Sequence, residues 1–451
     1  MICDLGFQIS ELRFFDWYSR FPAFRLNYFI RMSIVVDLII VLIFALDVYW
    51  WRQAHLRLAR VGHARGWRVL LAVFMGCLIL LLTSRLLPPG WSRRINDRIP
   101  LAFIAGQYLW HLSILPISIV LALTFRAMVR AVKLLRPRRV VSASADGTPA
   151  AAISSPIPTR SPVRNPQAYS LSRRQLLSAA AVSIPPSILA GMTGVSLTQL
   201  GGYRVRSFDV KIPNLPANLD GLLIAHLSDF HAGQFMTPRN MAPIIDSVND
   251  MRPDLVLITG DLIDYALYDL PPALDALRRL KPKYGREDGI AMCVGNHDCI
   301  ENRFTFRRVC ADAGFPLLAN DARTIQLKGA SLQFLAVDWC KTDEMTSDAL
   351  WRTSHLRDPA AFPIMLAHHP HAFDQAAMLD FPLTLSGHTH GGQIMLNESV
   401  GVGAIKFRYR SGLYRKPNGS QLIVSNGIGN WFPLRVNAPA EVLRLTLRRA
   451  T

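Results

Sequence analysis

Between residues 221 and 390, five short apolar runs each end in Asp, Asn or His, and this regularity limits the fold more than any other feature of the 451-residue chain. Gly221–His226 leads to Ser228-Asp229 and His231, Asp254–Thr259 to Gly260-Asp261, and Gly289–Val294 to Gly295-Asn296-His297-Asp298. Pro363–Ala367 leads to His368-His369, and Pro382–Ser386 to Gly387-His388-Thr389-His390. Runs this short and this continuously apolar read as strands covered on both faces. Between them, Met241–Met251, Leu274–Leu280 and Phe304–Ala313 have helical spacing, and 421–425 and 441–447 read as further strands. The chain is therefore α/β after about residue 218, the edge formed by strand C-termini being the usual place for a ligand. One Asp after a strand is ordinarily a helix cap, and one His an ordinary satisfied polar group. Five such endings in succession have no structural reading of that kind.

The endings offer carboxylate, imidazole and amide groups and no thiolate. Mixed oxygen and nitrogen donors suit Mn, Fe, Zn or a similar divalent ion. The candidates are Asp229, His231, Asp261, Asn296, His368, His388 and His390. They are too many for one ion. A carboxylate shared by two ions, about 3.5–4 Å apart, resolves the excess, and such a pair can clamp a phosphoryl group. The neighbouring glycines permit tight turns and close backbone approach.

The ordered motifs DxH, GD, GNHD, H and GHTH resemble the calcineurin-like metallophosphoesterase family. The likeness extends over about residues 205–451, and includes Gly391-Gly392-Gln393 and the stretch from Asn426 through Gly429 to Pro439-Ala440-Glu441. It implies a two-sheet αββα sandwich over 203–451 and a two-metal hydrolase of phosphate esters. Asp229, His231, Asp261 and His390 would hold one divalent ion, Asp261 would bridge, and Asn296, His368 and His388 would complete the second site. His297 would protonate the leaving oxygen, Asp298 would orient His297 or a ligand, and a hydroxide bridging the ions would attack phosphorus in line. Imidazole suits such an acid, and neutralising charge on the phosphoryl oxygens is usually the largest catalytic term. His369 and His371 read as supporting or surface residues, Asp264 as a turn cap, His226 as structural and His355 as solvent-facing.

The first half of the chain is different. Met32–Trp50, Trp67–Leu87 and Leu101–Phe125 are long enough to cross a bilayer, which takes about 20 apolar residues, and aromatic residues stand at or near their ends. Residues 1–139 thus read as an all-α transmembrane region and 140–170, rich in Ala, Ser and Pro, as a linker. Residues 171–202 begin with Ser172-Arg173-Arg174-Gln175-Leu176-Leu177 and read either as an internal twin-arginine export signal or as a fourth span. Asp37, Arg85 and His111 lie inside the spans, and a pairing of Asp37 with Arg85 is expected.

Charge separates the two halves. Residues 1–200 hold 23 Lys and Arg against 7 acidic residues, and the remainder 27 against 25. The excess flanks the apolar runs, as a topology signal does, and argues against nucleic acid as a partner. Segment 51–68 carries five Arg and no acid, and Arg126–Arg174 carries ten basic residues and one acid. Placing both in the cytoplasm puts the N-terminus and the 203–451 domain on the outer, periplasmic side of an inner membrane. The six cysteines form no CxxC pair; Cys293 and Cys299 read as a disulfide or as free thiols.

These features predict a membrane-tethered phosphodiesterase with a lipid-linked or cell-envelope phosphate ester as substrate. The alternatives are a UDP-2,3-diacylglucosamine pyrophosphate hydrolase, which needs a cytoplasmic site, and a membrane sensor with a metal-binding domain. A nuclease fits poorly with the nearly neutral second half.

Overall fold

A computed structural model describes residues 22–61, 65–84, 95, 98–135 and 172–450, apart from 316, 341, 398 and 399. The chain divides into two compact units, Met1–Gly191 and Met192–Thr451. The linker expected over 140–170 lies outside the described residues.

Among the described residues, four helices are long and apolar enough to cross a membrane, over Leu38–Leu58, Arg65–Thr83, Leu101–Leu135 and Arg173–Gln199. The last answers to the segment that the sequence left between signal and span. It opens on a capping box, with the Ser172 hydroxyl accepting from the Gln175 N–H and the Gln175 side-chain oxygen accepting from the Ser172 N–H, 3.3 and 3.0 Å. Pro185 and Pro186 lie inside this helix.

Within the first unit the apolar faces meet around Trp50, Met75, Ile104 and Trp110, all buried. A π-helical turn, Trp110–Ile114, interrupts the third span. From it the Trp110 indole N–H donates to Asp47 Oδ1 at 2.9 Å, and His111 Nε2 lies 2.9 Å from Asp47 Oδ2. Asp47, wholly buried, escaped the charge reading of the first span; it is the acid that meets His111. The side chains of Asp37 and Arg85, whose pairing was expected, fall outside the description.

The second unit contains twelve strands: β1 Tyr203–Ile212, β2 Leu223–Leu227, β3 Leu255–Thr259, β4 Ile290–Cys293, β5 Leu317–Leu318, β6 Asp321–Leu327, β7 Ala330–Ala336, β8 Phe362–Leu366, β9 Leu383–Ser386, β10 Gly412–Arg415, β11 Gln421–Val424 and β12 Ala440–Arg449. They form two mixed six-stranded sheets, in the orders β1-β12-β2-β3-β4-β5 and β10-β11-β9-β8-β7-β6. Ile224, Leu257 and Leu445 of one sheet and Phe334, Ile364 and Leu385 of the other meet in a shared core. Helices Pro238–Asp250, Leu270–Leu277 and Arg303–Asp312 cover the outer face of the first sheet. Asp343–Ser354 and Ala372–Met378 cover that of the second. This is the expected αββα sandwich. The five strands whose endings attracted notice are β2, β3 and β4 in one sheet and β8 and β9 in the other, each pairing parallel with its neighbour in that group. Parallel pairing sends the C-terminal tips of each group to one edge, which is what brings the polar endings together.

Candidate metal centre

All seven predicted donors converge beyond the strand tips. On one side His231 Nε2 lies 3.1 Å from His390 Nε2 and 3.9 Å from Asp229 Oδ1, and His390 Nε2 lies 3.5 Å from Asp229 Oδ1. On the other, His368 Nε2 lies 3.1 Å from Asn296 Oδ1 and 3.2 Å from His388 Nδ1, which is 2.8 Å from Asn296 Oδ1. Asp261 Oδ2 belongs to both sides, 3.6 Å from His231 Nε2 and 3.1 Å from His368 Nε2. The seven residues thus form two clusters that share the Asp261 carboxylate.

The backbone is bent to make this possible. Asp229, His231, Asp261, His388 and His390 have φ of 53°, 47°, 52°, 70° and 50°. That left-handed region is unfavourable for residues with a Cβ and concentrates at functional sites. Gly260, φ 81°, could not be replaced without strain: a Cβ would stand 2.8 Å from His368 Nδ1 and 2.6 Å from the Gly295 nitrogen.

Outer partners aim the donors. His368 Nδ1 faces the Thr259 carbonyl at 2.7 Å, so its proton resides there and Nε2 turns a lone pair inward. The His388 N–H donates to both oxygens of Asp229 at 3.1 and 3.0 Å, and the Ser228 hydroxyl donates to Asp229 Oδ2 at 2.5 Å. Arg435, buried among backbone carbonyls, reaches His390 Nδ1 at 3.0 Å. Asp298 accepts N–H bonds from Asp261, Leu262, Ile263 and Gly295 at 2.8–3.2 Å. It therefore fixes the loop that carries Asp261. The acid beside His297 is Asp264, which sequence reading left as a turn cap: the His297 Nδ1 bonds to the Asp264 carbonyl, and Asp264 Oδ1 is 3.4 Å from that nitrogen and 3.6 Å from His231 Nδ1. The signal available in the sequence was its position, three residues after Asp261.

Charges follow the geometry. Burial opposes it, but Asp229, Asp264 and Asp261 push His231 up to about 10, and Asp261 pushes His368 up to about 9. Burial raises and His368 and His231 lower Asp261, leaving it well below the usual carboxylate range. His388 is driven down to about 3 by burial and by His368. Burial and Asp261 push Asp298 up to about 6. The field of the carboxylates thus calls for positive charge at this spot. Ring nitrogens also face one another, His231 and His390 at 3.1 Å and His368 and His388 at 3.2 Å, a contact that a shared proton or a cation between them reconciles. Asp229, His231 and His390, and separately Asp261, His368 and His388, each offer ligand atoms within 4.8 Å of one another. Divalent ions therefore fit both groups.

The remaining candidates have bland positions. His226 is buried and bonded to Thr259 Oγ1 at 2.8 Å, and His355 is exposed. His369 packs its ring 4.6 Å from that of His388. Cys293 and Cys299 are free thiols. Trp339, which sequence reading passed over, has its ring 5.6 Å from that of His388 and 6.3 Å from that of His368.

An αββα sandwich with this donor set defines a metallohydrolase domain. Residues 222–392 match the calcineurin-like phosphoesterase family, and the C-terminal unit belongs to it. A transmembrane protein with a metallophosphoesterase domain from Danio rerio is 29% identical over 54% of this chain and 57% of its own length. An uncharacterized metallophosphoesterase of Campylobacter jejuni is 32% identical over 54% of this chain and 63% of its own. Another, from Bacillus subtilis, is 28% identical over 62% of this chain and 98% of its own. The match therefore spans less than two thirds of the first two relatives.

Proposed function

We propose that the protein is a membrane-tethered phosphodiesterase that uses two divalent ions and acts on lipid-linked or cell-envelope phosphodiesters. The observation that carries the reading is the sharing of one carboxylate oxygen, Asp261 Oδ2, between two donor groups. Asp229, His231, Asp261 and His390 would hold one ion, and Asp261, Asn296, His368 and His388 the other. Bound there, the ions would supply Lewis acidity and a nucleophilic water near neutral pH.

The chain's own groups do the rest. His297 lies outside both donor groups, with its ring 4.5 Å from that of His231. Because Nδ1 donates to the Asp264 carbonyl, Nε2 is the atom left to give a proton to the departing oxygen. The His297 N–H also donates to Asp261 Oδ1 at 2.7 Å, so the acid and the shared ligand are positioned together. Trp431, 6.2 Å from His297 between ring centres, narrows the site on that side.

Two features support a lipid-linked substrate. Among the described residues, four helices have spanning length. The segment after the last donor exposes Leu396, Val400 and Ile405 and ends at Phe407, whose ring lies 5.8 Å from that of His388. The distribution of basic residues supports a periplasmic active site, and the paired arginines at 173–174 support export by the twin-arginine route. Replacing both by Lys and finding export intact would remove that last part.

The test uses the full chain in detergent with bis-p-nitrophenyl phosphate, Mn and then a chelator. Metal-dependent hydrolysis that disappears in Asp261→Asn is expected. Metal bound at the site without hydrolysis of any phosphate ester would favour the sensor reading.

A further inference from the structure

The last helix of spanning length, Arg173–Gln199, has 27 residues, more than the about 20 that a bilayer core takes. Its final turns, from Met192 onward, belong to the second unit. Ser196 is wholly buried there, and its hydroxyl donates to the Pro433 carbonyl. Leu200, just past the helix, is buried as well. The end at which this span leaves the bilayer is therefore fastened to the segment 431–437.

That segment carries two other things. Trp431, at one end, is 37% exposed and lies 6.2 Å from His297 between ring centres. At the other end Val436 and Asn437 hold the stretch that follows the last donor, His390. The Val436 N–H donates to the Gln393 carbonyl at 2.8 Å, and the Val436 carbonyl accepts from the Met395 N–H at 2.9 Å. The Asn437 side-chain amide donates to the carbonyls of Met395 and Leu396 at 2.9 and 3.0 Å. From Pro433 to Val436 is at most about 11 Å of extended chain. One short piece of backbone thus bears the helix exit, the ring beside His297 and the stretch after His390.

That stretch is apolar on its exposed side. Leu396 is 78%, Val400 51% and Ile405 91% exposed. The exposure is built into the fold. The Leu396 N–H closes a turn on the Val400 carbonyl at 2.8 Å. Ile405 lies in the short helix Val402–Lys406, whose Gly403 packs so tightly that a Cβ there would stand 2.1 Å from the Gly392 Cα. Scattered exposed apolar residues need no explanation. Three on one pinned stretch, within a few residues of a span exit, match an interfacial element, whose apolar side chains enter the boundary of headgroups and acyl chains by about 5–10 Å. Trp431 suits the same level, where tryptophan is enriched.

We propose that residues 394–405 form a lip seated in the membrane surface, with Leu396, Val400 and Ile405 among the lipids, and that its partner is the bilayer crossed by helix Arg173–Gln199. Phe407 follows the lip and stands 5.8 Å from the His388 ring. A lipid ester then reaches the donors without leaving the bilayer surface. The proposal rests on the membrane tether of the reading above and stands apart from its hydrolysis.

The test uses the full-length protein in phosphatidylcholine vesicles with 3-trifluoromethyl-3-(m-iodophenyl)diazirine, a photolabel that partitions into the bilayer, and mass spectrometry of the labelled peptides. The reference is segment 351–356, which exposes Trp351 and Leu356, 54% and 46%. It lies beside the start of β7, where Gln333 donates to the Leu356 carbonyl at 2.9 Å, at the end of the sheet away from the donors. Label in 394–405 is expected at least fivefold above that in 351–356. Leu396→Glu combined with Ile405→Glu should cut the lip's label at least fivefold, while label in the spans, the thermal midpoint and turnover of bis-p-nitrophenyl phosphate stay as in wild type. A lip labelled no more than 351–356, or label that the double variant keeps, overturns the proposal. So does an unlabelled lip in a dimer that the double variant dissolves, which would give this surface to a second copy of the chain. A labelled lip on a protein that hydrolyses no ester sustains the membrane seat and overturns the enzymatic reading instead.

Discussion

Each unit buries a cluster of Asp, His and their partners, and the two clusters are built on opposite logic. In the first unit Asp47 accepts from Trp110 and meets His111, so one carboxylate answers two donors. Every contact here sets a donor against an acceptor, although His111 Nδ1 has no partner among the described residues. In the second unit His231 faces His390, and His368 faces His388, nitrogen to nitrogen at 3.1 and 3.2 Å. At each contact one ring must bring a proton, as His231 and His368, both held high, can, or a cation must stand between the rings. Burial alone therefore does not separate a structural polar cluster from a catalytic one. The backbone does: five of the seven donors in the second cluster occupy the left-handed region, and a relaxed structural pair has no need of that strain.

The difference can be broken most directly at Asp261. Asp261→Asn removes charge from both donor groups at once. Metal-dependent hydrolysis is expected to fall by more than the roughly 10–100-fold that loss of an outer partner of a metal ligand costs. The stabilisation on adding Mn, about 2.7 kcal/mol when the ion is at a hundred times its Kd and read as a rise in thermal midpoint, should largely vanish. A variant that keeps both would show that the second cluster is self-sufficient after all. His297→Ala sharpens the point from outside the clusters. It should lower kcat by about 10²–10⁴ while the bound metal, counted by elemental analysis, stays the same; loss of metal would make His297 a ligand.

The sequence carried the second cluster almost whole because its donors sit at strand ends, where apolar periodicity and polar punctuation mark each position. Asp264 was harder to assign. A carboxylate three residues past Asp261 looks like a turn cap until the fold turns His297 against it. Asp298 read as orienting His297 or a ligand, and its oxygens hold the backbone of the loop that carries Asp261, 37 residues away in sequence. Trp339 meets His368 and His388 only where distant segments come together, with no local signature. The first cluster was nearly invisible. Asp47 is a single acid in an apolar run, and its partners lie 63 and 64 residues further along.

Asp47→Asn tests the other side of the contrast. It leaves a buried His and indole facing a neutral amide, and should destabilise the first unit by about 1.5–3 kcal/mol, the scale of a hydrogen bond to a charged group. Hydrolysis of a soluble ester should remain within about twofold, since the pair supplies none of the seven donors. A large loss of turnover in a well-folded Asp47→Asn protein would make the first cluster functional and erase the distinction.

The smallest expected effect concerns His226, a buried imidazole between the two kinds of cluster in character. It has one partner, Thr259 Oγ1, and its Nδ1 has none. Burial pushes it down to about 3, whereas the unfolded chain titrates near 6.5. Between these values the unfolded state binds a proton that the folded state refuses, so stability is full above pH 6.5 and declines as pH falls toward 3. His231 and His368, held high, act in the opposite sense: their contribution is complete below pH 6.5 and is lost as pH rises toward 9–10. Asp298, raised to about 6, likewise disfavours the fold as pH rises from about 4 to 6. The wild-type curve mixes these slopes, so the informative quantity is the difference between wild type and His226→Leu. Between pH 7 and 4 the thermal midpoint of the chelator-treated wild type should fall relative to that of the variant, because only the wild type has this proton to gain on unfolding. Parallel curves would mean that His226 is hydrated and titrates normally, and a buried imidazole with a single neutral partner would no longer stand as the neutral member of the comparison.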